Sequence, residues 1–245
     1  MTSDGGVVQQ DAALRPRLRF RVADCFVCGS GFGGTDDPSS TLPRLLRRRV
    51  SSIGQLAFQA AWRVQSGAAA RFIFCSRHWE FDRILRLLGG LTLGEPLSPA
   101  DFNLSVGNAL AGLLAIATEN RAAHSAIAAG EDSFGAGLLE AASCLAAESD
   151  ERILLVYFDE ALPAEYAELD VPASAGPLAV ALVLGAPQGE DGHVVATLLS
   201  ASERASHPRS ASMAADFLLF LEEQSETISI GRQIGWRYRY VAAQD

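Results

Sequence analysis

The sequence predicts an α/β layered fold: a mixed, mostly parallel sheet with helices buried at its centre. Three observations lead there. Short apolar runs bounded by Gly, Asp, Ser and Pro alternate with segments of helical periodicity along the chain, the pattern of strands separated by helices. Two helical segments, 108–118 and 133–147, are apolar almost all round, as helices covered on more than one side are. The 245 residues, 49% hydrophobic and 20% charged, are enough for one large core. We expect a single domain over residues 1–245, with the polar segment 1–14 disordered.

The elements follow in order. Residues 18–27 alternate as a first strand, with Arg19 and Arg21 on one face and Phe20 and Val22 on the other. The Gly-, Asp- and Ser-rich stretch 28–40 reads as a loop. A basic helix begins at 43–49, and 51–64 is amphipathic, with Ile53, Leu56, Ala57, Ala60 and Ala61 at helical spacing. A short apolar strand at 71–75 precedes a helix at 79–88, which Gly89 and Gly90 should end. Residues 97–101 form a turn and a cap, followed by the apolar helix 108–118, a strand at 124–129 and the apolar helix 133–147. Further strands are expected at 152–158, 178–184 and 194–201, the last two joined by turn-rich 185–192. A helix at 213–223 leads to 235–241, where Trp236, Tyr238 and Tyr240 alternate with Arg237 and Arg239 as in a half-exposed strand.

Composition excludes several functions. The net charge of −9 opposes a nucleic-acid or anionic-membrane partner. All 20 basic residues are arginine, so neither a Schiff base nor a lysine-activated nucleophile is possible. Four cysteines are too few for a disulfide scaffold, and no metal site is expected: Cys25-x-x-Cys28 lacks a second ligand pair. The longest clean apolar run, 178–184, is too short to span a membrane, no N-terminal apolar segment resembles a leader, and a cytoplasmic location is expected. The glycines between Gly29 and Gly34 lack dinucleotide-binding spacing, and no cofactor is expected. The cluster Arg44, Arg47, Arg48 and Arg49 stands out on an acidic chain, as a docking patch for an acidic partner or a solvated helix face.

The most informative segment is Ser125-Ala-Ile-Ala-Ala-Gly130-Glu-Asp-Ser133-Phe-Gly-Ala-Gly137: a strand end, a tight turn and a helix start. It resembles the segment with which elongating β-ketoacyl synthases of the thiolase superfamily present their nucleophilic cysteine, Thr-Ala-Cys-x-x-Gly-x-x-Ser. Gly130 and Ser133 fall in register, and Ile127 occupies the cysteine slot. An isoleucine has no lone pair to attack a thioester. Asn108-Ala-Leu-Ala-Gly112-Leu-Leu-Ala-Ile116 is similar to the helix that precedes the nucleophile strand in that family. Ser76-Arg77-His78 and the segments 94–98, 102–112 and 128–139 look like those of a shorter group, the β-ketoacyl synthase-like N-terminal domain proteins of aryl polyene and xanthomonadin-type pigment pathways. Many members of that group carry His where this chain has Gly107.

The resemblance implies a thiolase-like half-fold and a chain-length-factor-like, non-condensing role beside a full-length β-ketoacyl synthase, as a heterodimer or larger assembly, with an acyl carrier protein as indirect partner. The histidines that assist condensation come from the family's second half, whose signatures are absent; His193 and His207 read as surface residues. No catalytic residue is expected in this chain. The residues expected to line the acyl tunnel or face the partner are Asn108, Leu110, Leu113, Leu114, His124, Ile127, Gly130 and Ser133. Glu131 and Asp132 read as carboxylates capping the helix start. Two other readings remain open from the residues alone. One is a stand-alone acyltransferase or thioesterase using Ser125 or Cys75. The other is a scaffold that binds an acyl carrier protein without a ketosynthase.

Overall fold

The computed structural model describes residues 16–30, 49–64, 70–147, 152–169, 176–188 and 192–243. Residues 1–14, the loop proposed for 28–40 beyond Ser30, and the basic helix except Arg49 lie outside them. The strands are β1 (Arg17–Gly29), β2 (Arg71–Cys75), β3 (His124–Ile127), β4 (Ile153–Asp159), β5 (Leu178–Gly185), β6 (His193–Leu198), β7 (Thr227–Ile230) and β8 (Gly235–Val241). The helices are α1 (Ser52–Val64), α2 (Phe81–Thr92), α3 (Pro99–Ser105), α4 (Ala109–Ala117), α5 (Ser133–Ala147), α6 (Ala201–Ala205) and α7 (Met213–Glu223). The α/β class and the mixed sheet are as expected.

The eight strands form one sheet in the order β3-β2-β4-β5-β1-β6-β8-β7. Only β2–β3 and β2–β4 are parallel; the other five pairings are antiparallel. The expectation of a mostly parallel sheet is therefore corrected. Every residue of β4 and β5 is buried. Their continuous apolar runs record burial on both faces, which parallel strands share but do not own. Strand β1 serves two partners: Arg21 to Gly29 pair with β5, and Arg17 to Phe20 with β6.

Alternate residues of the central strands feed two cores. Phe72, Phe74, Leu154, Val156 and Phe158 pack under α1 and α4. Ile73, Cys75, Leu155 and Tyr157 join Phe134, Leu138, Phe217 and Trp236 on the other face, under α5 and α7. Helix α5 is the buried central helix the sequence predicts. A Cβ on Gly137 would lie 2.7 Å from Cys75 Sγ and 3.0 Å from Leu155 Cδ1; one on Gly135 would lie 2.8 Å from Met213 Cε and 2.9 Å from Trp236 Nε1. The two glycines therefore admit β2 and β4 on one flank and α7 and β8 on the other.

Helix α4 differs from expectation. Leu110, Ala111 and Leu114 are buried, but Ile116 is 76% exposed. One face of this all-apolar helix is uncovered in the single chain. Helix α2 also differs: it runs through Gly89 and Gly90 and stops at Gly94, whose φ is +72°. There the Glu95 N–H donates to Gly90 O (2.9 Å) and the Gly94 N–H to Leu91 O (3.1 Å), the paired bonds of a glycine C-cap. Strand β6 ends at Leu198, earlier than expected, because Ser200 and Glu203 form a capping box that starts α6. The cap expected near residue 98 is present: the Ser98 side chain accepts the Asp101 N–H at the start of α3.

A substitution pair tests the close approach of α5. Gly137→Val should lower stability by about 1–3 kcal/mol through overpacking. Gly112→Ala on α4, where a Cβ meets nothing within 4 Å, should raise it by about 0.5–1 kcal/mol. Urea denaturation midpoints of the two variants read both signs.

Candidate functional site

Strand β3 is an edge of the sheet and delivers Ile127 at its end, in register with Cys75 at the end of β2. The chain then turns through Gly130, at φ +57°, into a single 3₁₀ turn, Gly130–Asp132, and enters α5 at Ser133. A side chain would strain that φ, which accounts for glycine there. The strand–turn–helix elbow read from the sequence is therefore present, with Ile127 at the end of its strand.

Two buried side chains hold the elbow. Ser133 is fully buried. Its Oγ accepts the Ala129 N–H (3.0 Å) and lies 3.1 Å from Ser76 O and 2.7 Å from Gly130 O, either of which can take its proton. The Ser76 N–H in turn donates to Ile127 O (3.2 Å). Asp132 is buried too and is no mere helix cap. Its Oδ2 accepts the Gln233 N–H (2.9 Å) and its Oδ1 the Ile234 N–H (3.1 Å), in the turn between β7 and β8. No local sequence signal connects positions a hundred residues apart.

The candidate nucleophiles are arranged for structure. Cys75 is fully buried; its Sγ points at Val156 O (3.6 Å), and burial pushes its thiol well above the ordinary range. A thiolate there is disfavoured. Ser125 Oγ donates to Glu140 Oε1 (3.2 Å), an arrangement without an imidazole base, while His124 is exposed. Cys25 is exposed and Cys28 buried, with Cys28 Sγ directed at Leu56 O (3.4 Å), so the pair faces opposite ways. Among the described residues no group of His, Cys, Asp and Glu could hold a metal ion.

The loop after β2 is tied down by hydrogen bonds. The Trp79 N–H donates to Ser76 Oγ (2.8 Å), and Trp79 itself sits at φ +52°. Gly107 lies beneath the Trp79 ring: a Cβ there would be 3.4 Å from it. Arg77 forms a buried ion pair with Asp159, and Tyr157 Oη donates to the same carboxylate (3.2 Å). Burial raises the Asp159 carboxyl against the opposing pull of Arg77. Next to it, burial and the carboxylates of Asp82, Glu80 and Asp159 push Glu160 up to about 7.

A second network escaped the sequence reading. Arg83, only 6% exposed, donates to Glu80 Oε2 (3.1 Å), Asp101 Oδ1 (2.5 Å) and Arg49 O (2.8 Å). Ser51 Oγ donates to Glu80 Oε1 (2.6 Å). This chain of contacts ties the starts of α1, α2 and α3 together under a cleft of about 980 Å³ lined by Arg49, Arg86 and Tyr166 among others. Arg49 is exposed at its rim; Arg44, Arg47 and Arg48 lie outside the described residues.

The remaining expected residues cluster near β3. Leu110 and Leu114 point into this chain's own core, Leu113 is half-buried, and Asn108 and Gly130 are exposed. Exposed Leu88, Leu91, Leu93, Phe102, Val106 and Ile116 lie on α2, α3, α4 and their connections. That is more apolar surface than isolated leucines provide. No single helix among the described residues is long and apolar enough to cross a membrane; α3 and α4 reach that length only together, bent by 99°.

Comparison with known proteins follows this geometry. Residues 33–237 match the family described as "Beta-ketoacyl synthase, N-terminal domain". No curated protein matches the chain. Among solved structures, the chain is 26% identical to a chain of a ketosynthase (ApeO) in complex with its chain length factor (ApeC) from Xenorhabdus doucetiae, at a TM-score of 0.76; the match covers 91% of this chain and 99% of that one. The ishigamide ketosynthase/chain length factor is similar at 15% identity and a TM-score of 0.53, over 79% of this chain and 59% of that one. A β-ketoacyl synthase from Burkholderia phymatum STM815 is similar at 16% and 0.52, over 79% and 57%. The last two likenesses are of fold.

Two outcomes test the site chemistry. In the folded chain, iodoacetamide should modify exposed Cys25 and spare Cys75, which should react only after denaturation; mass spectrometry of the labelled peptides reads this. The second concerns Glu160, whose ordinary pKa is 4.5. With a folded value near 7, the folded chain holds this proton more tightly than the unfolded chain does. Its stabilising share is full below the ordinary value and is lost as pH rises through about 7. Melting temperature should therefore fall across that window, and Glu160→Gln should flatten the fall.

Proposed function

The chain belongs to the β-ketoacyl synthase N-terminal domain family, and on that premise we propose that it is a non-condensing, chain-length-factor-like subunit. It pairs with an active β-ketoacyl synthase and shapes the acyl tunnel of that partner. The observation that carries this reading is the end-to-end match to a chain of nearly equal length from a ketosynthase–chain length factor complex. The longer ketosynthase-type chains are spanned for less than three fifths of their length. Ile127 in the nucleophile slot supports the same reading, since an elbow without a thiol can position volume but cannot form an acyl-enzyme.

The surface we assign to the ketosynthase is the β3 edge with the outer face of α4 and the exposed leucines of α2. It is rich in apolar side chains, as the fully buried centre of an obligate interface is. Leu113 and Ile127 are the residues we assign to the tunnel wall. Leu110 and Leu114 act indirectly, by seating α4 on the sheet. The mechanism is excluded volume: a bulky side chain at the end of a closed tunnel opposes each added unit, because overpacking costs about 1–3 kcal/mol. Arg49 and the basic run before it are the proposed docking patch for an acidic carrier protein or the partner. Type II synthesis of polyene chains, in a cytoplasmic pigment pathway of the aryl polyene kind, is the setting suggested by the sequence resemblance.

Co-expression with a full-length β-ketoacyl synthase from the same source, followed by size-exclusion chromatography with light scattering, tests the proposal. A stable heteromer that condenses only when both subunits are present is expected, and Ile127→Ala within it should lengthen the products. A homodimer that leaves the ketosynthase untouched would refute the pairing and favour a carrier-protein scaffold.

A further inference from the structure

We infer that Asp132 is a positioning residue: it pins the elbow bearing Ile127 to the tip of the β7–β8 hairpin, so that the C-terminal hairpin sets how far the elbow reaches. The inference rests on the chain-length-factor reading above.

The geometry is a bidentate clamp. Both oxygens of Asp132, which is 4% exposed, accept backbone N–H groups of consecutive residues, Gln233 and Ile234. Backbone donors make the clamp independent of the side chains at those positions. The hairpin comes close enough only because residue 231 is glycine: a Cβ there would lie 2.0 Å from Asp132 Oδ1. The hairpin tip is closed by the Gly231 N–H on Ile234 O (2.8 Å). Behind it, β8 is fixed along β6 from Trp236 to Val241, with Trp236 and Tyr238 fully buried. The tip is thus an anchored post.

The elbow is tied together by its own hydrogen bonds. The Asp132 N–H donates to Ala129 O (3.1 Å), and the Ala129 N–H donates to Ser133 Oγ (3.0 Å), so the turn is closed on itself. Ser133 attaches it to the loop after β2 at Ser76. Asp132 attaches its other side to the hairpin. The position of Ile127, five residues before Asp132, follows from both attachments. Glu131 adds little: its contact with Arg209 is 3.7 Å long and largely exposed.

The test uses the heteromer with its ketosynthase and reads the distribution of product lengths by mass spectrometry. Asp132→Asn keeps one acceptor and loses the other. Gly231→Ala pushes on the clamp from the hairpin side. Each should leave the heteromer assembled and shift the products by one or more elongation steps. Neither should add to the shift of Ile127→Ala when combined with it, because all three act through one elbow. Unchanged products in both variants, alongside a shift in Ile127→Ala, would overturn the inference and leave the chain-length-factor reading standing. Additive shifts would overturn it as well. Loss of the heteromer in both variants would assign Asp132 to folding alone. Unchanged products in Ile127→Ala would remove the reading on which the inference rests.

Discussion

The close approach of α5 to both of its neighbours is the constraint on which the rest of the structure depends. Gly137 lets β2 and β4 in from one flank, and Gly135 lets α7 and β8 in from the other. The helix therefore lies inside the molecule, and its start is buried with it: Ser133, its first residue, and Asp132 just before it. Everything at the end of β3 is then positioned from within. A buried polar side chain must find partners. Ser133 finds them in the loop after β2, and Asp132 in the C-terminal hairpin. The packing of one helix thus dictates the hydrogen bonds that shape the elbow.

The elbow joins a strand end, a glycine turn and a helix start, with Ile127 at the strand end. Gly130 supplies the positive φ, and the strand ends beside β2. Ile127 contributes only volume. The nearest sulfur, on Cys75, is sealed against Gly137 and the Val156 carbonyl. Ile127 is half-buried and packs against the core under α5, beside the open edge of the sheet at β3.

Much of this was legible in the sequence because local patterns recorded it. The runs at 71–75, 152–158 and 178–184 gave the central strands, and the Gly130–Ser133 spacing gave the elbow. Strand direction was not legible: burial on both faces gives β4 and β5 the same apolar text whichever way their neighbours run. Nor could the apolar surface of α4 say which of its faces meets this chain. Leu110 and Leu114 turn inward while Ile116 turns out, and only the sheet decides that. Asp132 and Arg83 were misread or missed for one reason. Gln233 and Ile234 for Asp132, and Asp101 and Arg49 for Arg83, lie outside any local window; only Glu80, three residues before Arg83, is near it in sequence.

Strand β1 also bears on how the chain is made. Both of its neighbours are distant in sequence: Cys28 lies opposite Ala179, and Phe20 opposite Val194. During synthesis this strand emerges about 150 residues before either neighbour exists. Until then its backbone groups and Phe20 have no place in a sheet, and an unpaired apolar strand is a template for association with other chains. The arginines along it, Arg17, Arg19 and Arg21, place a charge at every second position near its start, where mutual repulsion discourages pairing with a second copy of the same nascent strand.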